Sequence, residues 1–132
     1  MSVRYLSLDE VVTLHARLLR AQGEQPMPII SPEKLEAAIA RPQSSQFGED
    51  AFPDLHQKAA ALLQSIVIGH PFLDGNKRIG LAAAIAFLRT NGITTVPDQD
   101  RLYDLTIAVA TGELREVEEI AIRVADLFGI PG

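Results

Sequence analysis

Residues 66–88 of the chain, IVIGHPFLDGNKRIGLAAAIAFL, decide its fold, because a polar turn separates two apolar segments. The first segment ends at Gly69, and the second begins after Asp74 and Gly75, a pair that favours a turn. Both segments have the composition of buried helices, so we predict that they are the two central helices. The turn between them brings a histidine, a carboxylate, an amide and two cations together in residues 70–78.

Helix signals continue on both sides of this segment. Ser7 and Glu10 match a capping box, and Ser31 and Pro32 supply an N-cap and a first-turn proline. The pattern predicts six helices, at about residues 7–22, 31–41, 55–69, 76–90, 98–111 and 113–128. Six helices with short connections predict one all-α domain, a six-helix bundle over residues 1–132. Residues 42–53 are polar and predict either a long surface loop or a short hairpin.

The composition excludes several classes of function. A formal net charge of −5 argues against a nucleic-acid-binding protein, which would need a basic face. The chain has no cysteine, so disulfides and thiol chemistry are excluded. No apolar run is long enough to cross a bilayer, and the N-terminus lacks the pattern of a signal peptide. We therefore expect a cytoplasmic protein with no direct contact to nucleic acid or to a membrane.

The start of the fourth helix has the features of an anion site. The backbone N–H groups of Gly75, Asn76 and Lys77 are expected at the positive end of the helix dipole. Gly75 permits the tight turn in which successive amides converge. Lys77 and Arg78 occupy the first turn, where acidic side chains are normally preferred, and a bound anion would reverse that unfavourable interaction. The pattern therefore predicts a phosphate-binding site.

Two further side chains suit the chemistry of phosphate. Asp74 lies beside the expected anion site, and a carboxylate next to bound phosphates is a typical ligand of Mg²⁺. His70 lies four residues earlier and could act as a general base toward a hydroxyl group. Each residue alone could be a solvated turn residue or a structural histidine. Together they supply what phosphoryl-type transfer requires, a base, a metal ligand and an anion site.

The nine residues HPFLDGNKR, 70–78, resemble the signature of the Fic/Doc family, in which His-Pro-Phe precedes an acid, a small residue, Asn and Arg. The segments AFLRTNG and DLTIAVATGEL are similar to the Doc branch of that family, so the likeness covers nearly the whole chain. The resemblance implies a Fic/Doc-like helical bundle. It also implies that residues 41–53 are the family's flap, which holds a segment of the target protein by strand addition.

The resemblance implies a role for each residue of the loop. His70 would remove the proton from a Ser, Thr or Tyr hydroxyl of a target, and Asp74 would hold Mg²⁺ with ATP as the substrate. Arg78 would contact nucleotide phosphates, and Phe72 would be buried as the anchor of the loop. The anion hole would be formed by three consecutive residues, Gly75, Asn76 and Lys77, and of these Lys77 would also belong to the catalytic set.

Two positions separate the chain from the family members that transfer AMP. Those members have glycine where this chain has Lys77, and a second arginine where it has Leu81. The Doc branch carries the lysine, which implies a protein kinase that transfers the γ-phosphate to a target similar in kind to elongation factor Tu. We therefore predict the toxin of a toxin–antitoxin pair. The alternatives are a Fic-type AMP transferase and an inactive domain that binds a nucleotide or a partner.

Regulation is predicted to come from a second protein. The inhibitory motif of self-inhibited family members is matched at Ser45 and Glu49 but not at Asp50, so we interpret that match as chance. The resemblance then implies a small antitoxin that folds onto an apolar groove. Of the other histidines, His15 is predicted to be structural and His56 to be solvated.

Overall fold

The structure, a computed structural model, describes residues 2–25 and 28–130. The described residues form, in chain order, α1 (Leu8–Ala21), α2 (Pro32–Ala40), a 3₁₀ turn (Arg41–Gln43), β1 (Ser45–Gln46), β2 (Glu49–Asp50), α3 (Leu55–Gly69), α4 (Asn76–Thr90), α5 (Gln99–Thr111) and α6 (Val117–Phe128). The strands pair as one antiparallel hairpin. The prediction of an all-α bundle with a short hairpin in the flap is confirmed.

Helices α1 and α3 begin where the sequence predicts, and each has a reciprocal capping pair at its start. The Ser7 hydroxyl accepts a hydrogen bond from the Glu10 N–H at 3.1 Å, and the Glu10 carboxylate accepts one from the Ser7 N–H at 2.9 Å. Asp54 and Gln57 form the same reciprocal pair at the start of α3. Both pairs satisfy N–H groups that have no intrahelical acceptor, which fixes the first turn of each helix.

The sixth helix begins at Val117 rather than at the predicted Glu113. After Gly112, which takes φ 82°, the chain makes a tight turn in which the Leu114 N–H donates to the Ala108 carbonyl at 3.0 Å. The Leu114 side chain is buried. Glu113 and its neighbours have ordinary helix propensities, so local sequence predicted a longer helix, but burial of Leu114 favours the turn.

Helix α3 lies at the centre of the bundle and contacts α2, α4, α5 and α6. Its middle is buried on all sides, since every one of residues 59–63 is buried. It packs most closely on α4, where a Cβ added to Gly80 would lie 2.8 Å from the Val67 Cγ2 atom. This contact fixes the end of α3 against the start of α4, and the polar loop joins them there. None of the helices in residues 2–25 and 28–130 has the length and apolar character needed to cross a membrane.

His56 is buried, so the prediction that it is solvated is wrong. Its Nε2–H donates to the Gly129 carbonyl at 2.6 Å, and the nearby Thr95 hydroxyl donates to the Phe128 carbonyl at 2.8 Å. The residues after α6 therefore cover the first turn of α3. The position of His56 in the first turn of α3 does not reveal that residues more than 70 positions away pack over it.

Candidate active site

His70 follows α3 in a left-handed backbone conformation, with φ 50° and ψ 56°. Glycine is the usual residue at such a helix end, and a residue with a side chain is disfavoured there by on the order of 1 kcal/mol. The His70 side chain is exposed and makes no hydrogen bond to the described part of the chain. A histidine in this conformation indicates that the position serves the side chain rather than the stability of the fold.

Asn76 locks the loop that follows His70. Its Oδ1 accepts from the Phe72 N–H at 3.1 Å, and its Nδ2 donates to the Phe72 carbonyl at 2.9 Å. Both residues are buried, and Phe72 is 1% exposed, which confirms that it anchors the loop. The side chain of Asn76 is thus used inside the loop. Its backbone N–H, the first of α4, remains the part that could meet an anion.

His15, on α1, packs against the same loop. Its ring stacks on Phe72 with centroids 3.8 Å apart, and its Nε2–H donates to the Asp74 carbonyl at 3.0 Å. Because the acceptor is a carbonyl oxygen, we assign the proton to Nε2. The prediction of a structural His15 is confirmed, but its contact with the candidate site was missed. The sequence did offer one signal for this contact: a histidine on the apolar face of a helix must find a buried hydrogen-bond partner.

The segment before α2 holds the loop from another side. The N–H groups of Ile30 and Ser31 donate to the Pro71 carbonyl at 2.9 and 3.1 Å, and the Leu73 N–H donates to the Pro28 carbonyl at 3.1 Å. The loop is therefore bonded to two separate parts of the chain. Its backbone is positioned before any ligand binds.

The first turn of α4 is left without a side-chain cap. Gly75 is the N-cap residue at φ 80°, and no side chain of the described residues accepts from the helix start. A Cβ on Gly75 would lie 3.4 Å from His15 Nε2, so a side chain there would be both strained and crowded. Free N–H groups at a helix start form a ready site for an anion.

Two cations flank this helix start, and they differ in their contacts. The Arg78 Nη2 atom lies 3.4 Å from the Glu24 carboxylate and 3.8 Å from the Asp74 carboxylate, and Nη1 donates to the Gln22 side chain. Lys77 is exposed and has no ion pair with the residues that the structure describes. The charge of Arg78 is thus largely matched, while that of Lys77 is available to a ligand.

All six predicted site residues meet at one cavity of about 430 Å³. Its lining comprises His70, Leu73, Asp74, Gly75, Asn76, Lys77, Arg78 and Tyr103. A second cavity of about 490 Å³ lies between α4 and α5, and the two share Lys77, Arg78 and Tyr103. A larger cavity of about 560 Å³ between α2 and α3 is lined by none of the predicted site residues. The paired cavities on the α4 side therefore form the candidate site.

Asp74 fits the predicted contact with Mg²⁺. Its side chain is 60% exposed at the edge of the cavity. The described residues include no cluster of three or more side chains that could hold a metal by themselves. Mg²⁺ commonly uses one or two carboxylates and takes its other ligands from phosphate and water. One exposed carboxylate is therefore compatible with the predicted Mg²⁺, whose other ligands would be phosphate and water.

The sequence model of the Fic/DOC family matches residues 5–88, which contain the loop, all of α3 and all but the last two residues of α4. The chain belongs to the Fic/Doc family. It is 47% identical over 93 residues to Toxin Doc of Mycolicibacterium smegmatis, across 69% of this chain and 71% of that protein. It is 36% identical over 127 residues to Protein kinase doc of Escherichia phage P1, across 96% and 98% of the two. The family that the loop signature predicts is thus confirmed, and the similarity extends over most of the chain.

Proposed function

We propose that this protein is a Doc-like toxin that transfers the γ-phosphate of ATP to a Ser or Thr hydroxyl of a translation factor such as elongation factor Tu. The observation that carries the proposal is one cavity that joins an exposed His70 to Asp74, Lys77 and Arg78 at the uncapped start of α4. The relationship to a phage protein named as a kinase supports the same reaction.

His70 is the proposed base. Its exposed ring would take the proton of the target hydroxyl, whose oxygen would then form a bond to the γ-phosphorus as the bond to the ADP oxygen breaks. The amides of Gly75, Asn76 and Lys77 would stabilise the phosphate charge without rearrangement, because the loop is already held in place. Mg²⁺ bound by Asp74 would neutralise charge on the phosphates.

The second cavity suits the nucleoside part of ATP. Its lining includes apolar side chains of α4 and α5, namely Leu81, Ile85, Leu102 and Ile107. Lys77 and Arg78 stand where it meets the first cavity, so phosphates bound at the helix start would continue into an apolar space. Ligand pockets usually combine such an apolar lining with a few placed polar groups.

AMP transfer is the second candidate, because the geometry of the base and anion site would serve it as well. Two features favour the kinase. Lys77 has an exposed charged side chain at the position where AMP-transferring members have glycine. Leu81 lines the second cavity at the position where those members have a second arginine. An inactive nucleotide- or partner-binding domain is the third candidate, and it is disfavoured because the complete set of site residues is present.

Transfer from differently labelled ATP separates the three candidates. The unsubstituted protein is incubated with Mg²⁺ and a bacterial lysate, with ATP labelled at the α or the γ position in parallel. We expect label on protein from γ-labelled ATP only. Label from α-labelled ATP would identify AMP transfer, and ATP binding without transfer of either label would identify an inactive domain.

A small antitoxin is the proposed partner. The relative named Toxin Doc supports a toxin assignment, and the inhibitory motif is incomplete at Asp50, so inhibition would have to come from another protein. Expression of the chain alone should stop bacterial growth, and co-expression with its antitoxin should restore it. Normal growth with an intact, expressed chain would contradict the toxin assignment.

Asn76→Ala should damage both stability and ATP binding. It removes two hydrogen bonds to the buried Phe72 backbone, so the free energy of unfolding should fall by about 1–3 kcal/mol. The matched control is Asn91→Ala, which removes bonds to Arg4 and Phe87 at the far end of α4. Urea unfolding should show a lower free energy of unfolding for both variants, whereas calorimetry should show weakened Mg-ATP binding only for Asn76→Ala. Equal ATP affinity in the two variants would contradict the role of the locked loop.

A further inference from the structure

Lys58 is a buried lysine that the proposed mechanism does not use. It lies on α3, is 1% exposed, and stands among the buried alanines of the central core. Its Nζ donates to the Pro42 carbonyl and to the Asp50 carboxylate, each at 3.3 Å, and lies 5.6 Å from the centre of the Tyr5 ring. A buried cation requires such partners. Two of these three partners belong to the flap, residues 41–53.

A second cation joins the flap to the same helix. Arg41 Nη1 donates to the Ala61 carbonyl at 3.3 Å, to Gln64 Oε1 at 2.8 Å and to Ser65 Oγ at 3.0 Å, all on α3. Its guanidinium also lies 5.3 Å from the centre of the Phe52 ring, near the end of the flap. Burial lowers the pKa of Arg41 below its usual value, but an arginine stays charged in proteins. Cationic contacts thus hold the flap to α3 near both of its ends.

The flap needs these contacts because it has no core of its own. Each strand has two residues, all exposed, and an isolated two-stranded hairpin is at best marginally stable in water. At the tip, Phe47 is fully exposed and has φ 54°, a conformation that favours glycine or asparagine. The hairpin therefore depends on its base for a defined direction.

We propose that Lys58 is a positioning residue for the protein substrate. By holding Pro42 and Asp50 it fixes the flap on α3, the helix directly before His70, which lies twelve residues or about 18 Å further along. If residues 41–53 hold a target segment, as the resemblance to the family implies, that segment is presented to the base by one rigid element. The inference rests on the proposed function in that it takes a protein hydroxyl as the acceptor. It assigns to a core lysine the placement of that acceptor, and not the binding of ATP.

Lys58→Met tests the contact with little risk to the fold. Methionine has a similar length and suits a buried site, and the carboxylate that loses its partner, Asp50, is 57% exposed, so no buried charge is left unpaired. Asp50→Ala is the second variant, because it removes the carboxylate that accepts from Lys58 at a flap residue whose own side chain is exposed. Lys34→Met is the matched control, since it removes the same charge from an exposed position on α2.

The first measurement follows the flap itself. The chain has no tryptophan, so Phe47→Trp introduces a single fluorescent reporter at the tip of the hairpin. In that background, Lys58→Met should increase the fast component of the time-resolved anisotropy, Asp50→Ala should do so to a smaller extent, and Lys34→Met should leave it unchanged. Unchanged anisotropy in both flap variants would overturn the proposed contact, and Asp50→Ala alone decides if Lys58→Met fails to fold.

The second measurement is kinetic and uses the chain with Phe47 in place. Lys58→Met should lower kcat/KM for the acceptor protein about 10- to 100-fold, chiefly through KM, while ATP affinity stays within about twofold of the unsubstituted protein. Adding Asp50→Ala to Lys58→Met should cause no further loss, since both act through one contact. A looser flap with unchanged transfer would overturn the positioning role. Absence of any transfer by the unsubstituted protein would instead refute the proposed function, and the anisotropy would still decide the contact.

Discussion

His70→Asn should lower phosphate transfer by about 10²–10⁴-fold while leaving the protein at least as stable as before. The loss is expected because asparagine cannot take the proton of the target hydroxyl. The stability is expected because the residue has φ 50°, and asparagine is among the residues that best tolerate the left-handed conformation. The exposed imidazole makes no hydrogen bond to the described residues that would be lost on substitution. Transfer is measured with γ-labelled ATP, and stability by urea unfolding.

His70→Ala provides the control, because it removes the base without relieving the backbone. Its transfer should fall as far as that of His70→Asn, but its free energy of unfolding should be lower than that of the asparagine variant by on the order of 1 kcal/mol. Equal stability of the two variants would show that backbone strain at His70 is negligible. Retention of full transfer by either variant would remove His70 from the mechanism.

The two central helices and their loop could be predicted because their signals are local. Asp54 and Gln57 cap α3, and the turn at Asp74 and Gly75 starts α4, so the predicted and observed bounds of these helices agree. The six candidate site residues lie within nine positions, so a single tight turn suffices to bring them to one cavity. The sequence therefore predicts their proximity without any knowledge of the tertiary fold.

The residues that support the site depend on contacts between distant parts of the chain. His15 bonds to Asp74 across 59 positions, and His56 bonds to Gly129 across 73. No periodicity in the sequence specifies either partner. Lys58 presents the same difficulty, since a lysine near the start of a helix is normally solvated and becomes buried here only because the flap lies over it.

Asn76 illustrates a further limit of local reasoning. Its position in the signature predicts a contact with the anion, whereas its side-chain atoms are bonded to the backbone of Phe72. The backbone amide still stands at the start of α4. An asparagine can thus serve the site by shaping the loop, and only the direction of its side chain distinguishes this from direct contact.

The two cations of the loop, Lys77 and Arg78, should contribute unequally to binding a triphosphate in the proposed reaction. The chain is acidic overall, and Arg78 already faces the carboxylates of Glu24 and Asp74. Lys77 has no such neighbour among the described residues, and it stands where the two cavities meet. A bound triphosphate should therefore gain most from Lys77, because its charge is not already neutralised.

Lys77→Gly should lower γ-phosphate transfer about 10²–10³-fold, as loss of one charged group that stabilises a transition state typically does. Part of any stability change would come from glycine in a helix, which costs about 1 kcal/mol relative to alanine. Lys77→Ala separates the two effects, since it removes the charge but keeps a good helix former. Both variants should lose transfer equally, and Lys77→Arg should retain more of it than either.

The same variants bear on the choice between kinase and AMP transferase. If Lys77 selects the γ-phosphate by its charge, Lys77→Gly should lose γ-label transfer while its ATP affinity falls far less than its rate, because a group that acts mainly in the transition state changes kcat more than binding. Appearance of α-label on the target with Lys77→Gly would mean that the side chain controls which phosphorus faces His70. Full γ-transfer by this variant would show that Lys77 does not determine the transferred group, and the choice would then rest on the amides of α4 and on Arg78.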